Sequence, residues 1–244
     1  MVKVSVILPI YNVAPYLEAA FDSILNQSLK EIEVIAVNDG STDQSEDIIK
    51  QYQQRDSRII SFSQENKGQS AARNLALQHA TGKYIYMMDS DDMLSSPDAF
   101  QVCYDYAEQN QADFIFFDRD WFADDGLIAT SGVYSTQYVE ENTRYNGETL
   151  LNHMLDTVSY NSVVWLLFIN HEHLKRIGLT FYEGIIHEDE LYTTILMLKS
   201  HSIYCLKHKL VKHRIHSSST IGKRFARRNM DCYLTVADEL LRFS

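Results

Sequence analysis

The chain has 244 residues and a formal net charge of −11, with 45% hydrophobic and 23% charged residues. This composition is that of an ordinary globular protein with a real core, and the negative charge argues against nucleic-acid binding. The three cysteines, Cys103, Cys205 and Cys232, are odd in number and show no CxxC spacing. Neither a disulfide framework nor a zinc site is therefore predicted, and a reducing cytoplasm is the expected compartment.

Apolar runs alternate with amphipathic segments through the first third of the chain. Short runs rich in β-branched residues predict buried parallel strands, and apolar residues at helical spacing predict the helices between them. The predicted elements are strand 4–10, helix 15–26, strand 33–38, helix 45–55, strand 59–63, helix 70–79 and strand 84–88. This order is typical of an α/β fold with a mostly parallel central sheet and helices on both faces.

The alternation is less regular from residue 97 onward. We predict a helix over 97–109 with Ser96 as its N-cap, a strand over 113–117, and an irregular or hairpin region over 118–145 that contains Gly126 and Gly132. The remaining predicted elements are helices 147–157, 171–177, 188–200 and 224–243 and short strands 202–206 and 210–215. No stretch reaches the ~20 apolar residues of a membrane span, so an integral membrane protein is not expected.

Three carboxylates, Asp89, Asp91 and Asp92, follow the fourth predicted strand. Open α/β folds bind their ligands at this end of parallel strands. Carboxylates this close repel one another unless a cation lies among them, and a divalent metal that carries a phosphate is one candidate. The alternative is an acidic loop that leads into the next helix. The loop alone leaves both interpretations open.

Two further loops of the first half carry polar residues suited to a nucleotide. Asp39, at the end of the second strand, could accept a hydrogen bond from a base or ribose, and Gly40 allows the backbone to turn with positive φ. Arg73, one turn inside the helix after Gly68, could face a diphosphate at the strand ends. Helix capping and an exposed arginine are the alternative explanations. Neither a GxGxxG nor a P-loop motif is present.

The last third of the chain contains an acidic helix start and a basic tract. Acids at Glu188 and Asp189 open a helix, where the helix dipole alone would favour them. From Lys199 to Arg228 there are nine Lys or Arg residues and no Asp or Glu. This tract could face phosphate, an anionic glycan or an anionic membrane surface, or could be a solvated face. His213 and His216 within it could meet phosphate or metal, or be solvated.

Six motifs stand in one order along the chain, at 4–12, 38–43, 68–74, 89–92, 188–189 and 214–216. Together they resemble the family 2 glycosyltransferases of GT-A fold, bacterial enzymes that build capsules, exopolysaccharides and surface glycans. The resemblance implies a Rossmann-like, mostly parallel sheet flanked by helices, with a smaller acceptor-side region and a C-terminal helix. It also implies a nucleotide-sugar-binding half at 1–117, an acceptor-binding and catalytic half at 118–223, and the C-terminal helix at 224–244.

The resemblance implies roles for individual residues. Asp189 would be the general base, with Glu188 as the second candidate. Asp91 would bind a Mn²⁺ or Mg²⁺ ion directly, and Asp89 would meet the ribose or, through water, the ion. His216, with His213 as the second candidate, would complete the metal shell or contact the diphosphate. The residues implied to bind the nucleotide sugar are Pro9, Tyr11, Asn12, Asp39, Lys67, Arg73, Asp89, Ser90 and Asp91.

The implied reaction moves a hexose or N-acetylhexosamine from a UDP-sugar to a hydroxyl of a glycan, lipid-linked or glycoprotein acceptor, with inversion. Two alternatives stay open: a nucleotidyltransferase that makes sugar nucleotides, and an inactive relative that serves as a binding partner. We expect a cytoplasmic protein. Peripheral contact with the inner face of the membrane through the basic C-terminal region, and a homodimer, remain open extensions of this prediction.

Overall fold

The computed structural model describes residues 1–123, 135–216 and 227–243. The strands are β1 (Val4–Ile10), β2 (Ile32–Asn38), β3 (Ile59–Ser63), β4 (Tyr84–Met87), β5 (Met93–Leu94), β6 (Phe114–Ala123), β7 (Leu167–Asn170) and β8 (Ile203–Ile215). The helices are α1 (Ala14–Leu25), α2 (Ser45–Arg55), α3 (Gln69–His79), α4 (Ala99–Asn110), α5 (Gly147–Asp156), α6 (His171–Ile177), α7 (Glu188–Leu198) and α8 (Arg227–Phe243). The strands form one sheet in the order β3-β2-β1-β4-β7-β6-β8-β5.

The first four sequence-predicted strands form the parallel half of this sheet. Strand β1 pairs in parallel with β2 and β4, and β2 pairs in parallel with β3. Every residue of β1, β2 and β4 is buried, because helices cover both faces and leave no solvated side. Ile10 lies opposite Asn38 and Ile7 opposite Met87, so the loops after these strands open at the same edge of the sheet. The predicted α/β class is confirmed.

The second half of the sheet is mixed and differs from the sequence prediction. Strand β7 is antiparallel to both β4 and β6, while β8 is parallel to β6 and antiparallel to β5. The two short strands predicted at 202–206 and 210–215 are wrong, because they are one strand, β8. The irregular region predicted from residue 118 is wrong as far as Ala123, since β6 continues past a register irregularity at Asp118. Strands β5 and β7 were not predicted.

The start of α4 also differs from the prediction. The helix begins at Ala99 with Asp98 at its N-cap, so Ser96 is not the cap. The carbonyl groups of Ser96 and Pro97 instead accept hydrogen bonds from the Gln27 side chain and the Ser28 N–H, which follow α1. These hydrogen bonds keep Ser96 and Pro97 outside the helix.

Three predictions concern the boundaries and ends of the chain. The functional division at 117/118 falls inside β6, so the two proposed halves share a strand and one sheet. Gly126 and Gly132 of the predicted irregular region, and residues 224–226 of the predicted C-terminal helix, lie outside the described residues.

None of the helices in the described ranges has the length and apolar content needed to span a membrane. Helix α8 packs on α7 and buries Cys232 and Val236.

Candidate active site at the end of the parallel strands

The loops after β1 and β2 are bonded to each other at the open edge of the sheet. The Asn12 side-chain oxygen accepts from the Thr42 N–H at 2.7 Å, and the Asn12 N–H donates to Ser41 Oγ at 3.1 Å. Asn12 has φ of 53°, in a region where asparagine is more common than most residues. Pro9 is buried in β1, whereas Tyr11 is 50% exposed. Tyr11 is therefore accessible for stacking on a planar ligand.

Asp39 is buried and fixes the loop that leads into α3. Its Oδ1 accepts from the Gln64 side chain at 2.7 Å and from the Lys67 N–H at 2.8 Å. Its Oδ2 accepts from the Gly68 N–H at 2.9 Å, and Gly68 has φ of 91°, which favours glycine. A carboxylate has about four acceptor positions, so Asp39 retains capacity for a ligand N–H. The Lys67 side chain is exposed.

Arg73 joins the end of β4 to the start of α7. Its buried guanidinium donates to Glu188 Oε1 at 2.7 Å and to Asp89 Oδ1 at 3.0 Å. The same group lies over the ring of Phe181, at 5.1 Å from the ring centroid, and Gln69 also donates to Asp89 Oδ1. Burial raises the pKa of Asp89, and the positive charge of Arg73 acts against that rise. One arginine thus holds two carboxylates from distant parts of the chain.

The end of β8 holds the other two carboxylates of the loop after β4. His216 Nε2 lies 2.9 Å from Asp91 Oδ2, and Arg214 Nε donates to the Asp91 carbonyl at 2.9 Å. Asp92 Oδ1 accepts from the Arg214 N–H at 2.8 Å, and its Oδ2 lies 2.9 Å from His213 Nδ1. Burial raises the pKa of Asp92 to about 6. Asp92 therefore anchors the loop to β8. Ser90, between the carboxylates, is buried.

Glu188 and Asp189 open α7 but have different surroundings. Glu188 is 7% exposed and is bonded to Arg73. Asp189 is partly exposed, and its Oδ1 accepts from the Glu190 N–H at 3.1 Å. Burial, together with the negative charge of Glu188, raises the pKa of Asp189 to about 7. Asp189 is thus a carboxylate that exchanges its proton near neutral pH.

The predicted metal ligands are only partly brought together. Among the described residues, no group of three His, Cys, Asp or Glu side chains is arranged to hold a metal ion. Asp91 and His216 do converge, whereas Asp89 is bonded to Arg73 and Gln69. Carboxylate oxygens suit Mg²⁺ and Mn²⁺, and imidazole is a common transition-metal ligand. Asp91 and His216 are therefore of residue types that would suit such a cation.

The predicted basic tract is divided among separate local contacts. Lys209 pairs with Asp120 at 2.8 Å, and Lys199 lies over the ring of Phe243. Arg214 is buried, and its guanidinium lies over the rings of Tyr16 and Phe122. Lys223 and Arg224 lie outside the described residues. Contact of this tract with a membrane remains a prediction.

Several residues of the site were not predicted from the sequence. Gln64 and Gln69 hold Asp39 and Asp89, and His213 holds Asp92 while stacking on Trp165 at 4.7 Å. Gln69 lies within the motif at 68–74, and the sequence indicates for His213 only contact with phosphate or metal, or with solvent. Gln64 belongs to no motif, so only the fold reveals its role.

Comparisons with known proteins agree with this geometry. The family described as "Glycosyl transferase family 2" matches residues 5–163. Glycosyltransferase GlyA of Streptococcus pneumoniae is 32% identical over 219 residues, which cover 89% of this chain and 31% of GlyA. S. aureus TarS in complex with UDP-GlcNAc has a TM-score of 0.81 at 21% identity, covering 98% of this chain and 66% of that one.

A second solved structure has the same fold. The mannosyltransferase PcManGT from Pyrobaculum calidifontis, in complex with GDP-Man and Mn²⁺, has a TM-score of 0.70 at 17% identity. That match covers 98% of this chain and 64% of the mannosyltransferase. The chain therefore spans about one third of GlyA and about two thirds of the two crystallised chains, of which that of TarS comprises residues 1–349.

Proposed function

The chain belongs to glycosyl transferase family 2 and has the GT-A fold, and we propose that it is an inverting glycosyltransferase. The donor is a UDP-linked hexose or N-acetylhexosamine, and the acceptor is a hydroxyl of a glycan, lipid-linked or glycoprotein substrate. One observation carries the proposal. Arg73 bonds to both Asp89 and Glu188, so it joins the carboxylates after β4 to the acids that open α7.

The loops after β1 and β2 support binding of a nucleotide. Tyr11 is exposed for stacking on the base, and Asp39 has a remaining acceptor position for a uracil N–H. TarS was solved with UDP-GlcNAc, and the mannosyltransferase was solved with a GDP-sugar. We propose a UDP-sugar for this chain because Asp39 can accept from the N–H of uracil. Guanine also has N–H donors, so the assay below compares UDP-sugars with GDP-mannose directly.

Asp189 is the proposed general base. It accepts the proton of the acceptor hydroxyl as that oxygen forms a bond to the anomeric carbon and the bond from that carbon to the diphosphate breaks. A single displacement of this kind inverts the anomeric carbon and needs no protein nucleophile. The pKa of Asp189, about 7, suits a base at neutral pH, whereas Glu188 is committed to Arg73.

Asp91 and His216 are the proposed ligands of a divalent cation, Mn²⁺ or Mg²⁺. Such a cation would supply charge neutralisation for the departing diphosphate. The chain contributes its own positive charge through Arg73, and Arg214 fixes the Asp91 backbone. Asp89 would meet the ribose, or the cation through water.

A turnover assay tests this proposal. The protein is incubated with UDP-glucose, UDP-galactose, their N-acetylated forms and GDP-mannose, together with mono- and disaccharides as hydroxyl acceptors, and with Mn²⁺, with Mg²⁺ or with EDTA. Cation-dependent release of UDP from at least one UDP-sugar is expected. Pyrophosphate release from UTP and a sugar phosphate would indicate a nucleotidyltransferase instead. Binding of a nucleotide sugar without any turnover would indicate an inactive binding protein. NMR of the product would test inversion.

A further inference from the structure

The residue before the acidic pair that opens α7, two positions before the proposed base, has an unusual backbone conformation. His187, the N-cap of α7, has φ of 67° and ψ of 31°, in the left-handed region. This region is uncommon for residues other than glycine, although histidine enters it more often than most. The first turn of α7, which carries Glu188 and Asp189, follows directly. The direction of that turn therefore depends on His187 keeping this conformation.

Three residues of α8 contact His187 and its neighbour. The imidazole of His187 stacks on the ring of Tyr233, with centroids 4.3 Å apart and ring planes 16° apart. The Asn229 side-chain nitrogen lies 3.1 Å from His187 Nε2. Cys232 Sγ accepts from the Ile186 N–H at 3.4 Å. Positions 229, 232 and 233 have the spacing of one helix face, so the contacts come from a single surface of α8.

The other end of this segment is fixed by α3. The side chain of Asn74 donates to the Phe181 carbonyl at 2.9 Å and accepts from the Phe181 N–H at 2.8 Å. Residues 181–187 are thus held by α3 at one end and by α8 at the other. Helix α8 lies outside the residues that match the family. Its contacts with His187 are therefore not part of the matched region.

We propose that α8 positions the general base by holding His187 in its left-handed conformation. This inference rests on the proposed function, because it takes Asp189 as the base. Tyr233 and Asn229 are positioning residues, which act on Asp189 through His187. Burial raises the pKa of Tyr233, and the charges of Glu190 and Asp189 add to this rise.

Substitutions on two faces of α8 test the proposal. Tyr233→Leu removes the stacked ring, Tyr233→Phe keeps it, and Leu234→Ala changes an exposed residue of the same turn. Tyr233→Leu should lower kcat about tenfold and leave the KM for the UDP-sugar within about twofold, because a small displacement of a catalytic group lowers the rate of chemistry. Tyr233→Phe and Leu234→Ala should keep the wild-type kcat.

Hydrogen–deuterium exchange gives a readout that does not require turnover. Amides 185–190 should exchange faster in Tyr233→Leu than in the wild type or in Leu234→Ala, while UDP binding measured by calorimetry stays unchanged and confirms folding. Unchanged exchange in both Tyr233→Leu and Asn229→Ala would overturn the proposal, as would faster exchange with an unchanged kcat. If the wild type transfers no sugar, the proposed function fails, and exchange alone then decides whether α8 holds this segment.

Discussion

At the scale of single residues, the acids that open α7 show how position decides chemistry. Glu188 and Asp189 are neighbours, yet the first is bonded to a buried arginine and the second is not. A carboxylate whose oxygen is bonded to Arg73 is poorly placed to take a proton from a substrate hydroxyl. Burial raises the pKa of Asp189 to about 7, and the neighbouring negative charge of Glu188 adds to this rise. We therefore propose a structural role for Glu188 and the reactive role for Asp189.

Replacing Asp189 with Asn should abolish most of the sugar transfer and leave binding of the donor nucleotide unchanged. We expect Asp189→Asn to lose roughly two to four decades of kcat, since the amide accepts no proton. UDP binding by calorimetry should be unchanged. In the wild type, kcat/KM should fall about tenfold for each pH unit below about 7, because only the deprotonated Asp189 is a base. Asp238→Asn, on the exposed face of α8, is the control. Normal transfer by Asp189→Asn would assign the base elsewhere.

Arg73 is expected to matter for stability as well as for ligand binding. Arg73→Met should lower the free energy of unfolding by about 3–5 kcal/mol, because Asp89 and Glu188 would lose the buried cation that faces them. Arg176, which pairs with Asp113 but is 67% exposed, supplies the control. Arg176→Met should change the same quantity by less than about 1 kcal/mol in denaturant titrations. Equal losses in both variants would contradict this account.

At the scale of elements, the two halves of the sheet differ in how far the sequence predicts them. The apolar runs of β1, β2 and β3 match the predicted ranges within one residue. The sequence divides β8 into two predicted strands because 207–209 are polar. In the structure β8 pairs with β6 up to Cys205 and again from Lys209 after a shift of register, so one strand runs through the polar stretch. Pairing with a neighbouring strand on both sides of the stretch, which no local pattern reports, overrides hydrophobicity there.

The site was predicted in its residue types but not in its pairings. The carboxylates after β4 could be predicted because they follow a buried strand at the ligand-binding edge. The bond from Arg73 to Glu188 joins residues 115 positions apart, and that from Asp92 to His213 joins residues 121 apart. Such contacts depend on which strand lies beside which, so the sequence alone does not reveal them.

The start of α5 makes a close contact that leaves no room for a side chain. A Cβ at Gly147 would overlap the Met197 carbonyl oxygen near the end of α7. Gly147→Ala should therefore lower the free energy of unfolding by about 3 kcal/mol, because backbone must move. Thr149→Ala, an exposed change on the same helix, should alter it by less than about 0.5 kcal/mol. Thermal unfolding of both variants is the measurement, and a stable Gly147→Ala would refute the close packing.

At the scale of the whole molecule, one continuous sheet brings the site together. Strands β1, β2 and β4 deliver Asp39 and the carboxylates to one edge, and β8 brings His213, Arg214 and His216 to the same place. Helix α7 adds the acids through Arg73. Because each element contributes to both packing and chemistry, the charge state of the site affects the stability of the entire fold.

This coupling predicts how stability changes with pH. The pKa of Asp189 is about 7 in the folded chain and near 3.9 in an unfolded one. The group thus contributes stability that is fully present below about pH 4 and is lost as the pH rises through about 7. Asp189→Asn removes this charge. At pH 8 the variant should therefore have a higher melting temperature than the wild type, by about 2–4 °C for each 1 kcal/mol of destabilisation that is removed. The difference should shrink toward pH 5, where the wild type is protonated, and a difference independent of pH would exclude a raised pKa.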